Sequence, residues 1–227
     1  MTDDSKKKAS SRTSYEKIAN ILRQEIVSGQ LPAGTRLTME DVAERLSVST
    51  MPVRQAFQRL QGEGIIEALP HKGAKVVPLG KELVSNIYDL RGAIESLLIQ
   101  NSIPNITNAA MEKLDQLHAE LKEAVEQGAS SRVFDINARF HRLIYLHAGN
   151  PMAMEIYDRY AGLLGALRKR YGVNTGRLQG RVDRVSKTIA ALHAKDRESL
   201  GQLARLHCEL SKQELLALMD TDQESED

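Results

Sequence analysis

The residues best suited to carry chemistry lie between Ser49 and Leu60, where basic and amide side chains recur at helical spacing. A helix that starts at the N-cap residue Ser49 would bury one face, made of Val53, Ala56, Phe57 and Leu60. Its other face carries side chains that can donate to phosphates and base edges in a DNA major groove: Thr50, Arg54, Gln55, Gln58 and Arg59. The segment therefore predicts a DNA-reading helix.

A second group of polar residues lies further along the chain. Asn137 and His141 are four residues apart, so they share a helix face and could bind one ion or one ligand group. Arg91 and Glu95 have the same spacing, which also favours an ion pair within one helix.

Composition limits the classes of protein that these groups could serve. The 227 residues carry a formal net charge of +1, with 4% aromatic residues and no Trp, which is typical of a mainly helical protein. Cys208 is the only cysteine, which excludes an intrachain disulfide and favours a reducing cytoplasm. Apolar runs are too short for a membrane span, and the N-terminus shows no signal peptide.

The N-terminal elements that position the DNA-reading helix follow from apolar spacing and caps. Residues 1–12 contain four basic residues without apolar periodicity and predict a disordered arm. A first helix is expected over residues 15–28, and Thr38 followed by Asp41 resembles a capping box that opens a second helix ending at Leu46. Ser47 and Val48 allow only a tight turn, so the result is a helix-turn-helix.

Two short apolar runs then flank a turn with Pro and Gly, which predicts a β-hairpin, or wing. His71 and Lys72 would lie at its tip, where Gly73 allows close approach to phosphates or entry into a minor groove. Flanking elements supply three further candidates for phosphate contacts, each of which could equally be plain surface: Arg36, Thr38 and Arg45.

The remaining sequence is helical throughout. Six helices are predicted at residues 82–103, 107–127, 131–147, 151–171, 178–194 and 196–219, and helices of this length form a bundle. We thus expect a mainly α protein with a winged helix-turn-helix domain at residues 13–78, a helical bundle for ligand binding and dimerisation at 79–219, and an acidic tail at 220–227.

Two sets of residues resemble a known family. The spacing of Gly29, Leu31, Gly34 and Leu37, followed by that of Ser49, Pro52, Val53, Arg54, Ala56 and Leu60, resembles the GntR family of bacterial transcription regulators. The helical half resembles the ligand-binding domain of that family's FadR subgroup, through Leu90-Arg91, Glu95, Asn137, Phe140-His141, Gly149-Asn150-Pro151, Asp196 and His207.

The resemblance implies a cytoplasmic regulator that binds an inverted-repeat DNA operator as a homodimer, and we expect it to act as a repressor. The family usually has Arg, Thr and Glu where this sequence has Thr50, Met51 and Gln55. Since Arg54 is retained, it is the main candidate for a base contact, and the family's preferred operator cannot be carried over.

The resemblance also implies a metal site built from an Asp or Asn with three histidines. Here Asn137, His141 and His207 stand at three of those positions and Val185, which cannot ligate, stands at the fourth. We therefore predict no firm cofactor and at most weak binding of a divalent metal such as Zn²⁺, Ni²⁺ or Mn²⁺.

The same residues can serve an effector instead. Arg91 stands where members of the resembling family clamp a carboxylate, and Arg181, one turn before Val185, would face the same interior. A small organic acid held by Arg91, Asn137, His141, Arg181 and His207 is the expected effector.

Two other functions fit fewer of the residues. A metal-dependent helical enzyme could use Glu95, His141 and His207, but the sequence has no nucleophile elbow, phosphate loop or HExxH motif. A scaffolding DNA-binding protein with an inert bundle would require a collapsed bundle core.

Overall fold

The computed structural model describes residues 3–70, 72–172 and 175–224. Its N-terminal part contains α1 (Asp3–Val27), β1 (Arg36–Leu37), α2 (Met39–Arg45), α3 (Thr50–Gly62), β2 (Ile66–Leu69) and β3 (Gly73–Val76). The second part contains α4 (Lys81–Ser102), α5 (Asn108–Glu126), α6 (Ser130–Tyr145), α7 (Pro151–Tyr171), α8 (Leu178–His193) and α9 (Arg197–Glu224). The fold is therefore mainly α with a small sheet, as predicted.

The chain divides into two compact units. Unit 1 comprises residues 1–80 with 159–170, and unit 2 comprises residues 81–158 with 171–227. The middle of α7 thus belongs with the N-terminal elements, an arrangement that the apolar spacing of α7 did not indicate.

Unit 1 is a winged helix-turn-helix. Its sheet has the order β1-β3-β2 and is antiparallel, with Ile66 opposite Val76 and Leu69 opposite Gly73. The predicted hairpin is confirmed, and β1 adds a third strand too short to show a periodic pattern. Apolar side chains from α1, α3 and the start of the hairpin form the core: Leu22, Val53, Leu60 and Ile65, each 0% exposed.

Local sequence explains the turn between α2 and α3. Thr38 caps α2, because its hydroxyl accepts from the backbone N–H of Asp41 at 3.1 Å. Ser47 adopts a positive φ of 53° in the four-residue connection between Arg45 and Thr50, which reverses the chain before α3 begins.

Unit 2 packs helices around an apolar core that includes Leu114, Ile136, Phe140 and Leu200. Thr107 caps α5 through a bond from the Ala110 N–H, as its position predicted. Within the described residues, no helix is both long and apolar enough to cross a membrane.

The ends of the chain differ from the expectation. The sequence predicted a disordered arm over residues 1–12, whereas α1 begins at Asp3 and includes ten of those residues. No Gly or Pro interrupts this stretch. Because the C-terminal half of α1 is packed, the helix can extend towards the N-terminus, and each added residue gains one backbone hydrogen bond. For the same reason α9 continues to Glu224, into the segment predicted as an acidic tail.

Candidate nucleic-acid interface and interior polar site

The surface of α3 separates into the two predicted faces. Val53, Ala56, Phe57 and Leu60 are buried in the core of unit 1. Thr50, Arg54 and Gln58 are exposed on the other side. The helix thus offers a polar strip at the spacing expected of base-reading side chains.

Arg54 is the most available cation on this strip. In the described part of the chain its guanidinium has no hydrogen-bond or ion-pair partner, and its side chain is exposed. Ser49 is the N-cap residue of α3, yet its hydroxyl makes no cap hydrogen bond and is also exposed. Both groups are therefore open to a phosphate or a base.

Other predicted contacts already have structural partners. Arg45 donates to both carboxylate oxygens of Glu25, at 2.9 and 2.7 Å, and Thr38 is the cap of α2. Arg36 is exposed on β1. Contacts of these three residues with DNA stay predictions. For Thr38 and Arg45, the partners within the protein already explain the orientation of the side chain.

Two residues assigned to the polar face of α3 are turned away from it. Arg59 donates to Glu63 at 3.0 Å and to the Arg159 carbonyl at 3.4 Å, so its assignment to the DNA-reading face was wrong. Gln55 is half-buried, and its Oε1 atom is buried without a hydrogen-bond partner among the residues that the structure describes.

The wing contributes Lys72, which is exposed beside β3. His71 lies outside the described residues. Gly73 has a φ of +82°, and a Cβ atom there would overlap the carbonyl oxygen of Leu37. Glycine is thus required at this position by its close contact with β1, within the protein. An approach of Gly73 to DNA stays a prediction.

A buried ion network fixes α3 to α1. Arg23 donates to the two oxygens of Glu63 at 2.7 and 2.6 Å, and the two residues are 4% and 1% exposed. Arg59 binds the same carboxylate. Sequence reasoning missed this network because forty residues separate Arg23 from Glu63 and no local pattern links them.

The part of α7 that belongs to unit 1 packs against the same network. A Cβ atom at Gly162 would lie 2.9 Å from the guanidinium carbon of Arg23, so the close approach excludes larger side chains unless Arg23 moves. Arg170 donates to the Val27 carbonyl at 2.6 Å and ties the end of α1 to α7.

Unit 2 contains an interior polar site organised by Glu95. This carboxylate is 0% exposed and accepts from Arg91 Nε at 2.6 Å and from the Tyr145 hydroxyl at 2.8 Å. Burial and the neighbouring Glu95 raise the pKa of Tyr145 well above its usual value, so the hydroxyl keeps the proton that it donates. Arg91 also lies over the Tyr157 ring, 4.8 Å from its centre.

The two predicted histidines meet in this site. The ring centres of His141 and His207 are 4.3 Å apart, and His141 Nδ1 lies 3.4 Å from the Tyr145 hydroxyl. Burial lowers the pKa of His141 to about 4 and that of His207 well below its usual value, and nearby guanidinium groups add to both shifts. Both imidazoles are therefore neutral at pH 7.

Arg181 faces the same interior, as predicted, but it has a buried carboxylate partner. It forms an ion pair with Glu214, and the two side chains are 2% and 3% exposed. Its guanidinium carbon lies 4.2 Å from the centre of the Phe134 ring. Glu214 was not predicted, because thirty-three residues separate it from Arg181.

Arg184 is a further cation of this site that sequence reasoning missed. Its side chain is half-buried, and burial lowers its pKa. Its Nε atom is buried and has no hydrogen-bond partner within the described chain. Arg91, Arg181 and Arg184 all act on the two imidazoles. Glu95 lies beside Arg91, and Glu214 and Asp183 act on Arg184, so each of these guanidinium groups has a carboxylate near it among the described residues.

The residues predicted for a metal do not fit a divalent ion. Asn137 is buried at 7% exposure, but Val185, at 2%, is part of the apolar core. Among the described residues no group of three His, Cys, Asp or Glu side chains is close enough to hold a metal. An amide and two imidazoles surrounded by guanidinium groups are a poor site for a dication.

Comparisons with known proteins match both units. Residues 14–76 match the model of bacterial regulatory proteins of the gntR family, and residues 86–210 match that of the FCD domain. The chain is 27% identical to the HTH-type transcriptional regulator McbR of Escherichia coli K12 over 80% of this chain and 83% of McbR. It is 28% identical to the transcriptional repressor RspR of the same organism over 67% of each chain.

Solved structures show the same fold. The structure of Escherichia coli McbR, also called YncC, matches with a TM-score of 0.65 over 92% of this chain and 98% of that one, at 24% identity. Lar, which controls the agr system of Listeria monocytogenes, matches with a TM-score of 0.61 over 90% of this chain and 97% of Lar, at 16% identity.

Proposed function

Because the chain belongs to the GntR family of bacterial regulatory proteins and carries an FCD domain, we propose that it is a cytoplasmic repressor released by a small organic acid. It is a DNA-binding transcriptional regulator and not an enzyme. The finer parts of the proposal are an inverted-repeat operator, a homodimer and an anionic effector held in unit 2.

The exposed face of α3 supports sequence-specific DNA binding. Arg54 presents a guanidinium with no partner in the described part of the chain, and a free guanidinium can bind guanine through two hydrogen bonds. One helix of thirteen residues reads only a few base pairs. A homodimer on an inverted repeat doubles the number of contacts and therefore supplies the missing specificity.

Unit 2 offers a surface for the second copy of the chain. Leu90 and Leu97 are seven residues apart on α4, so they share one face, and each is 40% exposed. Exposed large apolar side chains in a row are typical of a surface that another protein covers.

The partly accessible guanidinium groups of Arg91 and Arg184 are the observation that supports an anionic effector. A carboxylate ligand would form charge-assisted hydrogen bonds with them, and within the described residues the buried Nε atom of Arg184 has no hydrogen-bond partner. Arg91, Arg184 and His207 each keep part of their surface accessible, whereas Arg181 and Glu95 do not. We therefore propose that Arg184 and Arg91 bind the acid and that Arg181 supports the site from behind.

Binding would also rearrange existing pairs. Arg91 now contacts Glu95 and the ring of Tyr157, a residue of α7. An acid that binds Arg91 would compete with both contacts. The energy available for switching is the difference between the free energies with which the acid binds the two arrangements.

A screen of organic acids, sugar acids and neutral metabolites by thermal shift tests the effector. An acid that stabilises the wild-type protein should lose its effect in Arg184→Ala and Arg91→Ala, because each variant removes a guanidinium that the carboxylate needs. Arg132→Ala is the matched control, since Arg132 is an exposed arginine of α6 paired with the exposed Glu123. Stabilisation by neutral compounds only, or acid responses unchanged in both site variants, would contradict the proposal.

A further inference from the structure

Met51 is an apolar side chain exposed on the polar face of the DNA-reading helix. It is the second residue of α3 and is 62% exposed, more than Ile21 at 42%, the other large apolar side chain exposed within the described part of unit 1. The core of unit 1 does not use it. An exposed apolar side chain of this size among polar neighbours indicates a contact made only in a complex.

The position of Met51 identifies what it would contact. Arg54 and Gln58 follow it by three and seven residues, so the three side chains share one face of α3. The first residues of a recognition helix are those that reach base edges. Met51 therefore lies where the helix would enter the major groove, one turn before Arg54.

Thymine is the base whose major-groove edge offers an apolar group, its C5 methyl. A methionine is unbranched and flexible, so its terminal methyl can adapt to the position of a thymine methyl. Side chains three residues apart on a helix have Cβ atoms about 5–6 Å apart. Base pairs stack about 3.4 Å apart, so the two contacts would be about one or two base pairs apart.

We propose that Met51 is a specificity-determining residue that recognises the methyl group of a thymine, about one or two base pairs from the pair bound by Arg54. The proposal depends on the proposed operator binding. It assigns a base preference to a position at which this sequence departs from the family pattern. A contact of Met51 with a protein partner, instead of with DNA, is one outcome that the test distinguishes.

The test uses uracil in place of thymine, because this change removes only the C5 methyl and leaves base pairing intact. An operator is first selected from random DNA with the full-length wild-type protein. Each thymine of its half-sites is then replaced singly by uracil, and affinity is measured by fluorescence anisotropy. We expect one position per half-site to lose about fourfold in affinity, the effect of one buried methyl-sized group.

Two variants separate Met51 from the rest of the interface. Met51→Gln keeps the length and helix propensity of the side chain but not its apolar end, and it should bind thymine and uracil operators equally. Met51→Leu keeps an apolar end and should remain sensitive to uracil. The inference is overturned if Met51→Gln shows the same loss as the wild type, or if no uracil weakens wild-type binding, the result expected when Met51 contacts a protein.

The same experiment distinguishes this inference from the proposed function. If the wild type selects no DNA sequence at all, operator binding itself fails. If it selects an inverted repeat whose affinity is insensitive to uracil, operator binding holds and only the role of Met51 is wrong.

Discussion

At the scale of single residues, function depends on which charged side chains are already paired. Arg45 and Arg54 both lie in the helix-turn-helix, but Arg45 binds Glu25 through two hydrogen bonds and Arg54 has no partner in the described part of the chain. A side chain without a partner loses nothing within the protein when it binds DNA. This difference makes the two arginines a matched pair for mutation.

We expect Arg54→Ala to weaken specific operator binding by about 1–3 kcal/mol, because it removes a guanidinium that binds a base directly. Arg45→Ala should have a much smaller effect on specificity. Gel shifts on the selected operator and on a scrambled sequence measure both. Equal binding of the operator by Arg54→Ala and the wild type would show that Arg54 is not a base contact.

The neutral His141 predicts a pH dependence of stability. Its pKa is lowered to about 4 in the folded protein, so the unfolded chain binds more protons between pH 4 and the ordinary histidine value of 6.5. The contribution of neutral His141 to the free energy of unfolding is therefore fully present above pH 6.5 and is lost as the pH falls towards 4. For a pKa shift of this size the loss is about 3 kcal/mol.

Urea unfolding at several pH values measures this dependence. His141→Gln should flatten the change of the free energy of unfolding between pH 6.5 and 4 relative to the wild type. His193→Gln is the matched control, because His193 is exposed at the end of α8 and its replacement should leave the slope unchanged. An unchanged slope in His141→Gln would show that His141 is not the group responsible.

The apolar Val185 gives a prediction about metals. Protein purified without chelator should contain far less than one Zn²⁺, Ni²⁺ or Mn²⁺ per chain by elemental analysis, because the donors present are too few. Val185→His should increase the metal content, since it adds a third imidazole beside His141 and His207. Stoichiometric metal in the wild type would contradict this account of the site.

The sequence revealed some of these residues and not others, for a physical reason. The pair Arg91–Glu95 is formed within one helix turn and was predicted from its spacing. Arg181–Glu214 and Arg23–Glu63 join residues that only tertiary packing brings together, so helical periodicity carries no information about them. Arg184 was missed because only tertiary packing brings it close to His141 and His207.

At the scale of elements, the position of α3 depends on Glu63. The side chain of this residue, the C-cap of α3, is 0% exposed, and its carboxylate binds Arg23 from α1 and Arg59 from α3. Helix boundaries set by local residues were predictable, such as the start of α5 at the cap Thr107 and its end before Gly128, whereas the start of α1 and the end of α9 were not. The packing of residues 159–170 of α7 with α1 and α3 was not, because those contacts are non-local.

Glu63→Gln should destabilise unit 1 by about 3 kcal/mol, because it leaves the buried Arg23 without a countercharge. Glu67→Gln is the matched control, since Glu67 is paired with Lys75 on an exposed surface of the wing, and it should change stability by no more than about 0.5 kcal/mol. Urea unfolding followed by circular dichroism compares them. Equal stabilities of the two variants would show that the network does not hold α3.

At the scale of the whole molecule, the account requires two copies of the chain on one operator. Each copy would place an α3 in one of two successive major grooves, with half-site centres about one helical turn apart. The dimer face proposed on α4 contains Leu90 and Leu97, which are exposed in the single chain.

We expect the wild-type protein to sediment with twice the mass of the 25.2 kDa chain. The double substitution Leu90→Lys and Leu97→Lys should shift it towards the monomer, because two cations would be buried against their copies in the partner. Leu146→Lys, at an exposed leucine on another element, is the control and should remain dimeric. A dimer unaffected by the double substitution would place the interface elsewhere.

The central claim is that an acid bound inside unit 2 controls DNA binding by unit 1. Its most direct test is fluorescence anisotropy of the full-length protein on the selected operator, titrated with an acid identified by thermal shift. The account predicts that the acid weakens operator affinity at least about fivefold, the lower end of typical allosteric coupling, and that Arg184→Ala abolishes this effect. An acid that binds the wild-type protein but leaves its operator affinity unchanged would contradict the claim.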